Sequence, residues 1–150
     1  MEKSYYKSPI GVLEIICEKN SLISLKLVKN TDKADRETAL IKEIKIQLGE
    51  YFSGERKIFD IKLKPTGTDF QNKIWKELQK IPYGETMSYS EIAATVGNKN
   101  AQRAVGSACN KNPIMIIIPC HRVISKNGKL GGFAYENTVK QKLLVLENNV

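Results

Sequence analysis

The hydrophobic period of this chain changes once, at "KPTGTDF", and no other feature limits its architecture as much. Before that point "GVLEIICE" and "LISLKLVK" are β-rich runs. Ile23, Leu25 and Leu27 alternate there with polar neighbours at the period of a half-buried strand. "IFDIKLK" repeats the alternation through Phe59, Ile61 and Leu63. Between these runs, "RETALIKEIKIQLGEYFSGE" places Leu40, Ile41, Ile44, Leu48, Tyr51 and Phe52 at helical spacing, with Gly54 as a stop. After the break, Pro65 and Gly67 precede two helix-starting residues, Thr68 and Asp69. "DFQNKIWKELQKI" then sets Phe70, Ile74, Leu78 and Ile81 on one face. Ser88, three residues before Glu91, predicts a capping box, and a second short helix is expected from Ala101 to Cys109. Thr138 before Gln141 predicts another box, with Leu143, Leu144 and Leu146 facing inward. The expected fold is α+β: residues 1–64 form a small sheet-plus-helix domain, and residues 65–150 form a helical one.

Hydrophobic residues make up 41% of the 150, enough for a real core. No run approaches the roughly 18 apolar residues of a membrane span. The N-terminal residues carry early charges and no apolar h-region. The expected location is therefore intracellular and cytoplasmic rather than secreted. Cys17, Cys109 and Cys120 are odd in number and widely spaced, which argues against a disulfide framework. With no C-x-x-C pair and a single histidine, no metal site is expected. Cys17, in an apolar strand, reads as buried packing.

The formal charge is +8, and its distribution is uneven. From Ile92 to Tyr135 there is no acid, against Lys99, Arg103, Lys111, Arg122, Lys126 and Lys129. Such a stretch suits a polyanion such as nucleic acid, or is simply a solvated basic surface. "SEIAATVGNKNAQRAVGSA" has the proportions of a helix-turn-helix. Its second helix is small-faced, with Ala101, Ala104, Gly106 and Ser107 around one long cation, Arg103. Small side chains let a helix backbone approach DNA closely, and they equally permit a tightly packed hairpin. The acid-free stretch favours DNA.

The chemistry-bearing stretch is "NPIMIIIPCHRVISKNGKLGGF". Proline biases the residue before it towards extended geometry, here Asn112 and Ile118. The run Ile114 to Ile118 is too short for a helix, so a buried extended segment is expected. It would deliver Cys120 and the sole histidine, His121, to the edge of a pocket, followed by the flexible glycines Gly128, Gly131 and Gly132. A thiol becomes a nucleophile when a base or positive charge favours its thiolate. Adjacent side chains of an extended segment point to opposite sides, so His121 would reach the sulfur through a water or a sharp bend. An inert buried cysteine is the alternative. Glu147 falls at the end of the last helix, where the helix dipole disfavours an anion. It is either the third member of a Cys-His-Glu relay or an ordinary exposed glutamate.

"PCHRVI", preceded by "NP" and followed by "GGF", resembles the signature of the methylated-DNA–protein-cysteine methyltransferases, the O6-alkylguanine-DNA alkyltransferases. "GETMSYSEIA", "QRAVGSA" and "KLLVLE" arrive in that family's order and spacing. The resemblance covers nearly the whole chain and is strongest from Phe70 to Glu147. It implies a ribonuclease H-like N-terminal domain followed by a winged helix-turn-helix-like C-terminal domain that carries the acceptor cysteine. It also implies DNA repair by direct reversal. An alkylated guanine is flipped out of the duplex, and a thiolate takes the alkyl group irreversibly, once per molecule; O4-alkylthymine is a further candidate substrate.

Carried over residue by residue, the resemblance makes Cys120 the acceptor, His121 the base acting through a water, and Glu147 the group that orients His121. Asn112 links the helix-turn-helix to the active-site segment. Tyr89 helps rotate the nucleotide and protonates the departing guanine. Arg103 fills the gap left in the stack, on a DNA-binding face with Lys99, Ala101, Gln102, Ala104, Gly106 and Lys111. Phe133 packs on the base, while the amide of Ala134 and the carbonyls of Cys120 and Val123 read its edge. Tyr135 and Glu136 follow Ala134, where many relatives have small residues, and so narrow the expected pocket. No cofactor or metal is implied. The implied partner is double-stranded DNA containing alkylated guanine, met by a monomer, with no membrane involved. A lesion-binding module without chemistry is a weaker rival, because such proteins replace the acceptor cysteine. A cysteine hydrolase is weaker still, because no second histidine exists to serve as a distant base.

Overall fold

The structure, a computed structural model, describes residues 1–32, 35–126 and 137–147. It is α+β and divides into two compact units, Met1–Thr66 and Gly67–Val150. Among the described residues no helix is long and apolar enough to cross a membrane.

The first unit is an antiparallel meander backed by one helix. Strands β1 (Glu2–Ser8), β2 (Gly11–Glu18) and β3 (Ser21–Val28) pair in that order. Lys19 and Asn20 make the β2–β3 turn with φ of 49° and 64°, the left-handed pair that a two-residue hairpin of native twist requires. Helix α1 (Ala39–Phe52) begins at Thr38, whose hydroxyl accepts from the Ile41 N–H at 3.3 Å. Its buried face is Ile41, Ile44, Leu48 and Tyr51, as the helical spacing predicts.

Two strand expectations change. The register slips between Ile16 and Cys17, which face Ser24 and Leu22, so Ile23 is the extra residue of a bulge. The bulge inverts the phase of β3. Leu22 and Leu25 are buried, whereas Ile23 and Leu27 are only half-buried. "IFDIKLK" keeps its alternation of burial at Phe59, Ile61 and Leu63, but only Leu63 makes a bridge, to Leu22. The Gln47 side chain explains this. It donates to the Asp60 carbonyl at 3.2 Å and accepts from the Asp60 N–H at 2.9 Å, taking the place of a neighbouring strand.

The second unit is mainly helical. Helix α2 (Asp69–Leu78) starts in a capping box in which Thr68 and Gln71 satisfy each other's N–H groups. Its buried residues are Ile74, Trp75 and Leu78. The Trp75 indole N–H donates to the Ala108 carbonyl at 2.9 Å, tying α2 to α4 (Gln102–Asn110). Gly67 lies against the Trp75 ring so closely that a Cβ there would sit 2.5 Å from it.

Strand β4 (Met87–Ser88) pairs in parallel with β5 (Val123–Ile124) and leads directly into α3 (Tyr89–Thr95). The predicted Ser88–Glu91 capping box is present. Gly97, at φ +83°, turns the chain after α3 towards α4, which starts one residue later than expected. Helix α5 (Asn137–Leu146) starts one residue before Thr138, placing that residue inside the first turn. Leu143 and Leu144 are buried and Leu146 is half-buried. Burying each such side chain contributes about 1.5–3 kcal/mol, so α5 is firmly seated on the segment that carries Cys120.

Candidate active site

The apolar run after Asn112 is not extended. It folds into a buried turn: the Ile117 N–H donates to Met115 at 2.8 Å and the Ile118 N–H to Ile114 at 3.1 Å. Ile116 takes φ +70°, a conformation that costs a β-branched residue about 1–3 kcal/mol. Asn112 makes the turn possible. Its Oδ1 accepts from the Ile114 N–H at 2.9 Å, and its Nδ2 donates to the Ile118 carbonyl at 2.8 Å and to Cys120 Sγ at 3.1 Å. Burial of Ile114, Met115, Ile116 and Ile118, together with these bonds, outweighs the strain.

Cys120 and His121 then enter a single 3-10 turn, Cys120–Arg122, rather than an extended strand. A sharp bend is one of the two routes that the sequence leaves open for His121 to reach the sulfur. Cys120 is only 1% exposed. Burial pushes its thiol up to about 11, opposed by the Asn112 donor, the Lys140 charge and the backbone N–H groups of Cys120 and His121. The resting group is a thiol.

His121 is fully buried and its Nε2 lies 2.8 Å from Glu147 Oε2. A carboxylate only accepts, so Nε2 carries the proton and Nδ1 carries the lone pair. Among the described residues, buried Nδ1 has no hydrogen-bond partner. Burial lowers the His121 pKa more than the Glu147 bond raises it, so the imidazole is neutral at rest and the contact is a hydrogen bond rather than an ion pair.

Glu147 is buried, not the exposed glutamate that its place at a helix end allowed. Arg122 accounts for this. Its Nε donates to Oε1 at 2.8 Å and a terminal nitrogen donates to Oε2 at 3.1 Å, while the other terminal nitrogen donates to the Ile81 carbonyl at 2.8 Å. Burial alone would raise the carboxyl pKa. The bonds from His121 and Arg122 outweigh it and hold Glu147 well below the usual carboxylate range. Arg122, counted from sequence among the cations facing a polyanion, is thereby removed from the surface.

Tyr89 opens α3 and lines a groove of about 500 Å³ with Gln102, Arg103, Gly106, Ser107 and Asn110 of α4, and Ser125. Arg103, Gln102, Ala104, Lys99, Lys111 and Lys126 are exposed, whereas Ala101 is nearly buried at the start of α4 and offers little surface. Phe133, Ala134, Tyr135, Glu136, Lys129 and the glycines Gly128, Gly131 and Gly132 lie outside the described residues.

One buried residue beside the thiol, Lys140, is not marked by any motif of the sequence. It is fully buried, and its ammonium donates to the Val123 carbonyl at 2.5 Å and to the Tyr89 hydroxyl at 3.5 Å. The signal was present. Lys140 stands three and four residues before the buried Leu143 and Leu144, a lone charge on the apolar face of α5.

The two units match two family models: "6-O-methylguanine DNA methyltransferase, ribonuclease-like domain" over residues 1–65, and "6-O-methylguanine DNA methyltransferase, DNA binding domain" over residues 69–149. The methylated-DNA–protein-cysteine methyltransferase of Methanosarcina acetivorans is 44% identical across 99% of both chains. The crystal structure of the Mycobacterium tuberculosis O6-methylguanine methyltransferase superposes with a TM-score of 0.89 at 42% identity, covering 97% of this chain and 92% of that one. Mycobacterium tuberculosis OGT in complex with DNA gives a TM-score of 0.88, also at 42% identity, over 98% of this chain and 92% of that one. The chain belongs to the O6-methylguanine DNA methyltransferase family, the one its motifs resemble.

Proposed function

We propose that this protein repairs DNA by moving the alkyl group of O6-alkylguanine onto Cys120 Sγ, irreversibly and once per molecule. One observation carries the reading. A buried thiol is followed directly by a buried neutral imidazole whose Nε2 is locked on Glu147 and whose Nδ1 lone pair has no partner among the described residues. That arrangement is a base waiting for a proton. As sulfur attacks the alkyl carbon, the thiol proton passes through a water to His121 Nδ1, and the imidazolium formed is stabilised by the Glu147 carboxylate. The carbon–oxygen bond breaks, its electron pair stays on guanine, and the Tyr89 hydroxyl gives guanine the proton it needs. Sulfur, carbon and both protons are accounted for without a cofactor or metal. The thioether does not hydrolyse under these conditions, so the protein is consumed.

Resting neutrality suits a single-use nucleophile. A thiol at about 11 beside a neutral histidine does not react with stray electrophiles and ionises only as the substrate arrives. The target base must leave the duplex to reach it. Tyr89 and Arg103 line the same groove, which supports a reading in which Tyr89 rotates the nucleotide and Arg103 fills its gap in the stack. Gln102, Ala104, Gly106, Lys99 and Lys111 follow the phosphates and groove edge, and the carbonyls of Cys120 and Val123 read the guanine. The expected partner is double-stranded DNA containing the lesion, met by a monomer in the cytoplasm, where three free cysteines are at home.

The test is stoichiometry. With a duplex bearing O6-methylguanine in large excess, loss of the lesion should stop at one per chain. Continued turnover would contradict the reading. Tight lesion-selective binding with no loss would make the protein a sensor.

A further inference from the structure

The turn at residues 82–85 grips the end of α5, and the transfer step above gives it no part. The Glu85 N–H closes the turn on the Pro82 carbonyl at 3.0 Å, and Gly84 takes φ +81°, as a type II turn requires. Glu147 directly follows the last residue of α5, where unpaired carbonyls and the helix dipole repel a carboxylate. An acid kept there needs its backbone held and its charge met, and Tyr83 contributes to both. The peptide unit that joins Leu146 to Glu147 is bonded on both sides. Its N–H donates to the Leu143 carbonyl at 3.1 Å, and its carbonyl accepts from the Tyr83 hydroxyl at 3.3 Å. Gly84 lies so close to the Glu147 carbonyl that a Cβ would stand 3.2 Å from it. The Arg122 guanidinium lies 5.8 Å from the Tyr83 ring centre, within cation–π reach, and donates to the carbonyl of Ile81 at 2.8 Å. Burial and the Glu147 charge raise the Tyr83 phenol against the opposing effect of Arg122, so the hydroxyl keeps the proton it donates.

We propose that Tyr83 is a positioning residue for alkyl transfer: its hydroxyl and ring fix Glu147 and Arg122 so that the carboxylate stays on His121 Nε2 while the imidazole takes up the thiol proton. The proposal rests on the alkyl-transfer reading above, in which His121 is the base. Tyr83 acts through two intermediaries. The hydroxyl holds the backbone from which the Glu147 side chain springs, and the ring backs the guanidinium that meets its charge. The Nε2–Oε2 bond is 2.8 Å long, and such a bond weakens steeply as either partner turns away. A carboxylate free to swing would leave Nε2 without its acceptor, and the proton could then sit on Nδ1, the nitrogen that must receive the thiol proton. The two contributions separate by substitution, because phenylalanine keeps the ring and loses only the hydroxyl.

His121 is the only histidine of the chain, so its ring nitrogens give NMR signals free of overlap. The experiment records those signals from the free protein, isotope-labelled at histidine, at neutral pH. It measures in parallel the single-turnover rate of methyl transfer from a saturating O6-methylguanine duplex, the duplex affinity and the melting temperature. Wild type, Tyr83→Phe and Tyr83→Leu are compared. Wild type should show the proton on Nε2 and a bare Nδ1. Tyr83→Phe should show a mixture of tautomers and transfer about threefold to tenfold more slowly, the rate equivalent of one hydrogen bond, with affinity unchanged. Tyr83→Leu, which also strips the ring from Arg122, should move both readouts further in the same direction. Folded variants with wild-type signals and wild-type rate would overturn the proposal. So would a slower rate or a lower melting temperature with unmoved His121 signals, which would make Tyr83 a structural residue only. If Tyr83→Leu does not fold, Tyr83→Phe decides alone. A wild type that transfers nothing would sink the functional reading itself, whereas the His121 signals test the hold on Glu147 whether or not transfer occurs.

Discussion

His121, Glu147 and Arg122 form the most consequential cluster at the scale of single residues. Removing one member of a buried ion pair costs about 3–5 kcal/mol, because the other charge is left without compensation. Glu147→Gln is therefore expected to destabilise the fold by that amount, read by urea unfolding, and to abolish transfer, because nothing then holds His121 in its tautomer. The same carboxyl sets the acid limit of stability. Its folded pKa lies below the ordinary 4.5, so its contribution is complete above that value and is lost as pH falls below it. His121 acts in the same direction: its folded pKa is below 6.5, so the unfolded chain takes up protons first as pH drops below that value. Unfolding free energy should decline from about pH 6.5 downwards and more steeply below about 4.5, and Glu147→Gln should flatten the lower part of the curve. A flat curve down to strong acid in wild type would contradict this.

Cys120, His121 and Glu147 were legible in the sequence because a thiol, the only imidazole and an acid recur in a known pattern. The burial of Glu147 was not, because the dipole at a helix end argues against it and the compensating guanidinium is 25 positions away. Arg122 was misread for the same reason: counting charge along a chain cannot tell an exposed cation from one seated on a carboxylate.

The decisive unit at the scale of elements is the Asn112 turn. Asn112→Ala would strip partners from the Ile114 N–H, the Ile118 carbonyl and Cys120 Sγ. At about 1–3 kcal/mol for each buried backbone group left unpaired, a loss of roughly 3 kcal/mol or more is expected by chemical denaturation. Isoleucine runs favour extended backbone locally, so the sequence pattern predicts an extended segment; the side-chain amide that folds the run acts across six residues. The bulge at Ile23 and the Gln47 clamp on Asp60 were hidden likewise, since each is a tertiary substitute for a regular ladder. Capping boxes are the opposite case. Ser88 and Glu91 carry their own partners within one turn, and the box formed as read. Ser88→Ala should cost about 1 kcal/mol and loosen Tyr89, the first residue of α3, so its effect on transfer rate should exceed its effect on melting temperature.

The switch of period at "KPTGTDF" was the most legible feature of the whole molecule, because a change from two-residue to helical periodicity survives any local error. Charge was half legible. Of the cations in the acid-free stretch, Lys99, Arg103, Lys111 and Lys126 are exposed. Four phosphate contacts give a slope of log affinity against log salt of about −3 to −4. Equilibrium binding to an undamaged duplex across a salt series checks this, and a slope near zero would remove DNA from the reading of this surface.

The destination of the alkyl group decides what this protein does. Intact-mass spectrometry after incubation with a duplex carrying one O6-methylguanine, followed by peptide mapping, measures that directly. The expected result is a gain of one methylene per chain, found only on the Cys120 peptide and absent from Cys120→Ser. A gain at Cys109 or Cys17, or none at all from a protein that binds the lesion, would contradict it.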